Sequence, residues 1–277
     1  MKLFVAGVRG STPAPGSAFV RYGGNTPCVA VSDDRGTRLI LDAGTGIRRV
    51  PEVLGSSPFR GTILFTHLHW DHIQGLPFFS SLDREDANAN LIVPEHQDPL
   101  GVLRQVMSPP YFPIDPTEMR GSCSFASLEE GDHQIEGYEV LARRVPHKGG
   151  PTFGYRVSDE SSSFAYISDH NPAAIGEGPD GLGDYHQAVM DLVEGVDVLI
   201  HDAQYLASEF TSGALFGHAT AEYAVGLAEK ASVGKVLLFH HHPDRTDDEL
   251  DAVGSQLQRS GLSVEVAKEG EVLDVSR

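Results

Sequence analysis

Three histidines and one aspartate lie within six consecutive positions, in the segment Thr66-His67-Leu68-His69-Trp70-Asp71-His72. Imidazole nitrogens and carboxylate oxygens are common ligands of divalent metals in proteins. One histidine alone would be typical of a solvated loop. Four ligand-type side chains in the order H-x-H-x-D-H instead predict a metal site.

The residues around this motif predict how it is positioned. Residues 62–65 form an apolar run of β-branched and aliphatic or aromatic residues, which predicts a buried strand. Since residues two apart in an extended segment face the same way, we expect His67 and His69 to point at one ion. Asp71 and His72 open a segment that is typical of a helix start, where the helix dipole favours an ionised carboxylate.

Residues of the same chemical types follow three later apolar runs. His147 comes after a β-rich segment, Asp169 follows the run 163–167, and the triplet from His240 to His242 follows the run 236–239. An aspartate can bridge two cations through its two oxygens, which one imidazole cannot do. Each of these residues alone would be typical of a loop residue whose side chain is hydrogen-bonded within the protein. Together with the first motif, we interpret them as metal ligands.

This succession of motifs resembles the metallo-β-lactamase superfamily over nearly the whole chain. The resemblance implies an α/β fold, a four-layer αββα sandwich with one or two metal ions at the sheet edges. It also implies that His240, the first residue after its strand, is the last ligand, with His241 as the fallback. The ligand sets that it implies are His67, His69, His147 and Asp169 for one ion, and Asp71, His72, Asp169 and His240 for the other.

Further polar residues at strand ends are interpreted as supporting residues. Asp42 opens the turn Asp42-Ala43-Gly44-Thr45-Gly46. The residues alone predict a capped turn, whereas the resemblance implies a buried acid that supports the metal loop. His201 and Asp202 also end a strand, and we expect them to support the site or to pack, because the family does not use this position as a ligand.

A Gly217-His218-Ala219-Thr220 segment precedes an alanine-rich helix predicted over residues 221–231. Taken alone, His218 is typical of a surface histidine beside a helix. The segment is similar to the phosphodiesterase branch of the superfamily, which includes the tRNA 3′-processing endonucleases and related phosphodiesterases of small substrates. That similarity implies that His218 contacts the scissile phosphate and acts as general acid. Asp71 and His218 are therefore the catalytic candidates.

Composition limits the substrate and the compartment. The 277-residue chain has a formal net charge of −18, which gives no basic footprint for nucleic acid. We therefore expect an anionic small molecule as substrate rather than a large nucleic acid, although a local cationic rim is compatible with this average. Two cysteines, Cys28 and Cys123, are too few for a disulfide framework. The absence of a signal peptide or membrane span predicts a cytoplasmic protein with no membrane partner.

The elements that must position these residues can be read along the chain. No linker or low-complexity tract interrupts residues 1–277, which predicts a single hydrolase domain. The aromatic residues of the Pro-rich loop 108–113 are expected to pack, although they could stack on a base or sugar. Strands are predicted at 2–8, 27–32, 37–41, 62–65, 90–94, 124–128, 134–145, 153–157, 163–167, 196–200, 236–239, 263–266 and 271–275, and helices at 99–107, 183–194, 221–231 and after Thr246.

The function predicted is hydrolysis of a small phosphodiester, such as a cyclic nucleotide or a cyclic phosphate, by a dinuclear centre. Zinc suits the ligand set best, and manganese or iron would accept it. Three alternatives stay open: hydrolysis of a lactone, thioester or β-lactam, redox chemistry at an iron pair, and a non-catalytic binding module stabilised by metal. The natural substrate, the metal in the cell and the oligomeric state are not predicted, and a homo-oligomer is compatible with the sequence.

Overall fold

A computed structural model describes residues 1–210 and 216–275. Within these residues the chain forms two seven-stranded sheets with helices on their outer faces. The strands are β1 Lys2–Gly7, β2 Cys28–Asp33, β3 Gly36–Leu41, β4 Arg60–Leu64, β5 Asn88–Pro94, β6 Ser122–Leu128, β7 Gly131–Ile135, β8 Tyr138–Arg144, β9 Phe153–Ser158, β10 Ser163–Ile167, β11 Val198–Asp202, β12 Lys235–Phe239, β13 Ser263–Val266 and β14 Glu271–Asp274. The helices are α1 Pro51–Leu54, α2 Trp70–Ile73, α3 Pro99–Arg104, α4 Gln187–Val193, α5 Ala221–Lys230 and α6 Asp247–Gln256.

The strand order brings the ends of the site-bearing strands together. The first sheet has the order β14-β1-β2-β3-β4-β5-β6, and the second has the order β13-β12-β11-β10-β9-β8-β7. Strands β3 to β6 run parallel to one another, and so do strands β10 to β13. Because parallel strands end at the same edge of a sheet, the residues that follow β3, β4, β10, β11 and β12 can meet there.

Three buried apolar clusters hold four layers together. The central cluster combines inward-facing residues of both sheets, such as Leu41 and Leu64 from the first and Phe164 and Phe239 from the second. A second cluster joins the outer face of the second sheet to α4, α5 and α6. A third covers the outer face of the first sheet, including Leu103 of α3. The predicted four-layer αββα sandwich is confirmed.

The predicted segment 134–145 differs from the structure. It contains a hairpin, because the backbone turns at Glu136 and Gly137, whose φ angles are 54° and 86°. Glycine adopts such angles without a steric penalty, so Gly137 was the turn signal in the sequence. The helix predicted over 183–194 begins only at Gln187, after Gly183 with a φ of 138°.

The described part of the chain has no helix that is both long and apolar enough to cross a lipid bilayer.

Candidate metal centre

The first group of predicted ligands meets at the ends of β4, β8 and β10. Nε2 of His147 lies 3.3 Å from Nδ1 of His69 and 3.6 Å from Oδ2 of Asp169. Nε2 of His67 lies 3.7 Å from the same carboxylate oxygen. One ligand atom from each of these four residues lies within 4.8 Å of the others. The four side chains can therefore surround one cation.

The second group gathers around the other oxygen of Asp169. Its Oδ1 lies 3.0 Å from Nε2 of His72 and 3.3 Å from Nε2 of His240. Oδ2 of Asp71 lies 3.3 Å and 3.2 Å from the same two nitrogens. Asp169 thus separates the two groups and presents one oxygen to each, which is the arrangement expected of a carboxylate shared by two ions.

Hydrogen bonds fix which nitrogen of each ring faces the centre. Nδ1 of His72 donates to the Asp42 carboxylate at 2.9 Å, and Nδ1 of His147 donates to the carbonyl oxygen of Gly217 at 2.7 Å. Nδ1 of His67 lies 3.1 Å from the Thr66 hydroxyl oxygen, which can accept its proton. These partners set the tautomer, and each ring is left with a lone pair on Nε2.

The atoms that face the centre lack partners within the protein. Nε2 of His67, Nε2 of His72 and Oδ1 of Asp169 are buried and make no hydrogen bond of acceptable geometry. Buried polar atoms that lack a partner are costly. Divalent cations would satisfy all of them, so the residues present fit a metal centre.

The protonation states of the first group suit a cation. Burial lowers the pKa of His67, His69 and His147, so these rings are neutral near pH 7. Burial alone would raise the pKa of Asp169, but the surrounding histidines, led by His240, hold it well below its usual range. The first group therefore offers three neutral imidazoles and one ionised carboxylate.

The second group is more strongly charged. Burial lowers the pKa of His72, but the Asp169, Asp71 and Asp42 carboxylates outweigh burial and raise this pKa well above its usual value. Burial likewise opposes ionisation of Asp71, yet His72 and His240 lower its pKa overall. Without a cation, the ring of His72 thus carries the positive charge that these carboxylates require.

Asp42 contacts the centre from behind, in the position that the family resemblance implied. Its fully buried carboxylate accepts hydrogen bonds from the Thr66 backbone at 2.8 Å, the Thr66 hydroxyl at 3.0 Å and the Tyr166 hydroxyl at 2.9 Å, in addition to His72. Tyr166 comes from the second sheet and was not among the predicted residues. Asp42 therefore couples the orientation of His72 to both sheets.

The loop after β1 contributes a contact that was not predicted. The backbone N–H of Ser11 donates to Oδ2 of Asp71 at 2.8 Å. The fully buried guanidinium of Arg9 anchors this loop, donating to the carbonyl oxygens of Gly23 at 2.7 Å and Arg245 at 2.6 Å. The loop after β1 thereby holds Oδ2 of Asp71, the oxygen that also faces His72 and His240.

Left-handed backbone conformations concentrate at the centre. Ser11, Asp42 and His240 have φ angles of 64°, 60° and 55°, and they are three of six such non-glycine residues in the described chain. This region is disfavoured for residues with a side chain and is found at functional sites where the surrounding structure maintains it. The strain therefore falls on one ligand and on two residues that hold other ligands.

His218 lies beside the two groups, with its side chain almost fully buried. Its Nδ1 donates to Oδ2 of Asp202 at 3.0 Å, and its ring stacks on that of His240 with centroids 4.9 Å apart. Burial lowers the pKa of His218, but the carboxylates of Asp202, Asp169 and Asp71 together outweigh burial and raise the pKa above the usual value. The same Asp202 oxygen accepts from the backbone of His170 and Ala219. Asp202 thus orients the ring of His218, a partnership that the sequence did not predict.

The other candidates near the site have structural partners. Nε2 of His241 donates to the carbonyl oxygen of Ala267 at 2.8 Å, so His240 rather than the fallback His241 faces the centre. Nδ1 of His201 donates to the backbone oxygen of Asp202 at 2.7 Å. His201 thus supports the strand end and is not part of either ligand group.

Comparisons with known proteins agree with this geometry. Residues 37–241 match the model of the β-lactamase superfamily domain. The ribonuclease Z of Exiguobacterium sibiricum is 29% identical over 225 residues, which cover 68% of this chain and 73% of that protein. The superfamily and the phosphodiesterase branch predicted from the motifs are thereby confirmed.

Solved structures share the fold over nearly the whole chain. The metallo-β-lactamase fold protein YhfI of Bacillus subtilis superimposes with a TM-score of 0.72 and 18% identity, covering 99% of both chains. A diphosphatase of the PhnP family superimposes with a TM-score of 0.70 and 20% identity, covering 99% of this chain and 97% of that one. At these identities the likeness concerns the fold alone.

Proposed function

The chain belongs to the β-lactamase superfamily and is a metal-dependent hydrolase, and we propose that its substrate is a small phosphodiester such as a cyclic nucleotide or a cyclic phosphate. One observation carries the proposal. Two groups of ligand-type side chains share Asp169, and a histidine held by its own carboxylate, His218, lies beside them. We also propose that residues 1–277 act as one hydrolase domain, because the central apolar cluster joins the two sheets.

We assign two divalent cations to the centre. One would be held by His67, His69, His147 and Asp169, and the other by Asp71, His72, His240 and Asp169. Zinc suits these imidazole and carboxylate ligands, and manganese or iron would accept them. When bound, such ions supply a water of lowered pKa and neutralise charge on a phosphoryl oxygen.

The remaining steps belong to side chains of this chain. The ring of His218, with its raised pKa, holds a proton that it delivers to the departing alkoxide oxygen. Asp202 keeps the ring in the required orientation and stabilises its protonated form. Asp71, ionised and held by the backbone of Ser11, accepts a hydrogen bond from the attacking water and orients it.

His218 has a second interpretation in the geometry. One of its nitrogens groups with Asp169 and His240 within 4.8 Å, so it could be counted as a ligand. However, Nδ1, the nitrogen nearest to Asp169, is already bonded to the Asp202 carboxylate. Because Nδ1 of His218 donates to Asp202, it has no lone pair for a cation, which supports the role of proton donor over that of ligand.

The size of the substrate is inferred from charge. A net charge of −18 repels a polyanion at long range, whereas the local charge of the cations would attract a single phosphodiester group. RNA is the second candidate, because the curated relatives are named ribonuclease Z. The small substrate is favoured because the chain offers no net positive charge to hold a long RNA.

Hydrolysis assays test the proposal directly. We expect the protein loaded with Zn²⁺ or Mn²⁺ to hydrolyse bis-p-nitrophenyl phosphate and cyclic mononucleotides, and to cleave a tRNA precursor poorly. Turnover of the precursor with no turnover of the small esters would favour the RNA candidate. No metal-dependent turnover of any of them would contradict a phosphodiesterase.

A further inference from the structure

An uncharged groove of about 570 Å³ opens beside the metal centre, between α2, the following single turn, α3 and the Pro-rich loop. Its walls include Trp70, Phe78, Tyr111 and Phe112, and none of its twelve lining residues carries a formal charge at neutral pH. The groove can therefore receive an uncharged part of a substrate whose anionic part lies at the cations.

The exposed aromatic side chains of the described chain concentrate here. Trp70, Phe78 and Tyr111 are 73%, 57% and 80% exposed, and all three line the groove. The remaining exposed aromatic residue, Phe216, precedes Gly217 and His218 on the other side of the centre. The sequence favoured packing for the aromatic residues of loop 108–113, but only Phe112 packs, edge to face against Phe78 with centroids 5.8 Å apart. Large exposed aromatic surface is costly in water and marks binding sites.

The groove adjoins a cavity at the first ligand group. A neighbouring cavity of about 360 Å³ is lined by His67 and His69, and it shares Ile73, Leu103 and Val106 with the groove. Trp70 directly follows His69 in the chain. A molecule with its phosphate at the centre can therefore extend into the groove without crossing a charged surface.

The polar groups of the groove favour a flat heterocycle over an alkyl chain. Apart from the Tyr111 hydroxyl and the indole N–H of Trp70, the polar side chains are the amides of Gln74 and Gln105. Amides offer both a donor and an acceptor, which match the edge of a nucleobase better than an alkyl chain. The amide nitrogen of Gln74 also donates to the Thr26 hydroxyl at 3.4 Å, which leaves its oxygen for a ligand. Aromatic faces with a few placed amides are the usual means of holding a base.

We propose that this groove is a base-binding subsite, in which Trp70 and Tyr111 stack on the nucleobase of a nucleotide phosphodiester. This inference rests on the proposed function and specifies the group attached to the scissile phosphate. Trp70 and Tyr111 are then specificity-determining residues, and the cleavage chemistry does not require them.

Binding can be measured without catalysis, because Trp70 is the single tryptophan of the chain. We expect AMP to quench the fluorescence of the zinc-loaded protein saturably, since the adenine stacks on the indole, and ribose 5-phosphate to quench it much less. Tyr111→Ala should weaken AMP binding roughly 5- to 150-fold, the range expected for loss of one stacking contact. Val272→Ala, an exposed apolar residue on the opposite edge strand β14, is the matched control and should leave AMP binding unchanged.

Kinetics separate the subsite from the chemistry. Thymidine 5′-p-nitrophenyl phosphate and methyl p-nitrophenyl phosphate share a leaving group, but the other ester group is a nucleoside in the first and a methyl group in the second. We expect Trp70→Ala and Tyr111→Ala to raise KM for the thymidine ester and to leave kcat/KM for the methyl ester within about twofold, since stacking energy is lost for only one of them.

The outcomes distinguish the two proposals. Equal quenching by AMP and ribose 5-phosphate, or an unchanged AMP affinity in Tyr111→Ala, would overturn the subsite even if both esters are hydrolysed. Base-dependent quenching in a protein that hydrolyses neither ester would support the subsite and contradict the phosphodiesterase.

Discussion

Replacing His218 by glutamine removes a proton donor while keeping a polar side chain of similar length. His218 is 6% exposed and its Nδ1 donates to Asp202 at 3.0 Å, so the ring is held in a single orientation. If His218 protonates the leaving group, the effect of His218→Gln must depend on how much that group needs a proton. An alkoxide needs one, whereas p-nitrophenolate leaves readily without it.

The expected magnitude follows from this dependence. General acid catalysis contributes roughly 10²- to 10⁴-fold, or about 3–5 kcal/mol of the barrier. We therefore expect kcat for a 2′,3′-cyclic mononucleotide to fall by roughly that factor in His218→Gln. For methyl p-nitrophenyl phosphate we expect a fall of less than about tenfold. Asp202→Asn should show the same selectivity with a smaller loss, because it acts through His218.

The assay compares kcat for the two substrates in each zinc-loaded variant, with zinc content measured on the same samples. His133→Gln, on the outermost strand β7 of the second sheet, is the matched control and should behave as wild type. An equal loss for both substrates, or a loss of zinc in His218→Gln, would refute the role of proton donor and identify His218 as a phosphate contact or a ligand.

Three further predictions concern the metal centre. Gly149→Ala places a Cβ 2.6 Å from Nε2 of His69 and should weaken binding of one cation by roughly tenfold or more. The control is Gly150→Ala, which is also strained but whose Cβ meets no atom within 4 Å. Equal zinc affinities of the two variants in calorimetry would contradict the steric argument. Asp42→Asn removes a buried carboxylate charge that accepts a hydrogen bond from His72. It should lower the free energy of unfolding by about 3 kcal/mol and Tm by roughly 6–12 °C. An unchanged melting curve would show that Asp42 does not support the centre. Chelation should lower Tm and abolish hydrolysis because the ligand groups are left unpaired, with both restored by Zn²⁺; a metal-free sample with full activity would contradict the hydrolase mechanism.

The strand-end ligands were predictable because each is a local pattern. An apolar run followed within a few residues by His or Asp places that side chain near a sheet edge, and the family resemblance implied which of these residues form the two ligand sets. The structure brings the seven residues together there. The turn at Glu136 and Gly137 was missed although its glycine signalled it, because the apolar residues on both sides read as one strand.

Contacts between distant segments left no such pattern. The backbone N–H of Ser11 reaches Asp71 across 60 positions, and a backbone group has no signature in the sequence. Nothing in the sequence distinguishes Asp202 from other acidic residues at strand ends. Its contact with His218 is formed only in the folded chain. The exposure of Tyr111 depends on how loop 108–113 packs against the rest of the chain. The composition of the loop does not show this, so the sequence favoured a packed Tyr111 over an exposed one.

Anomalous diffraction at the zinc edge, from crystals grown with Zn²⁺, would test most directly whether two ions share one carboxylate. We predict two peaks about 3.5–4 Å apart, one bonded to each oxygen of Asp169. A single peak, or two peaks that Asp169 does not join, would contradict the dinuclear centre.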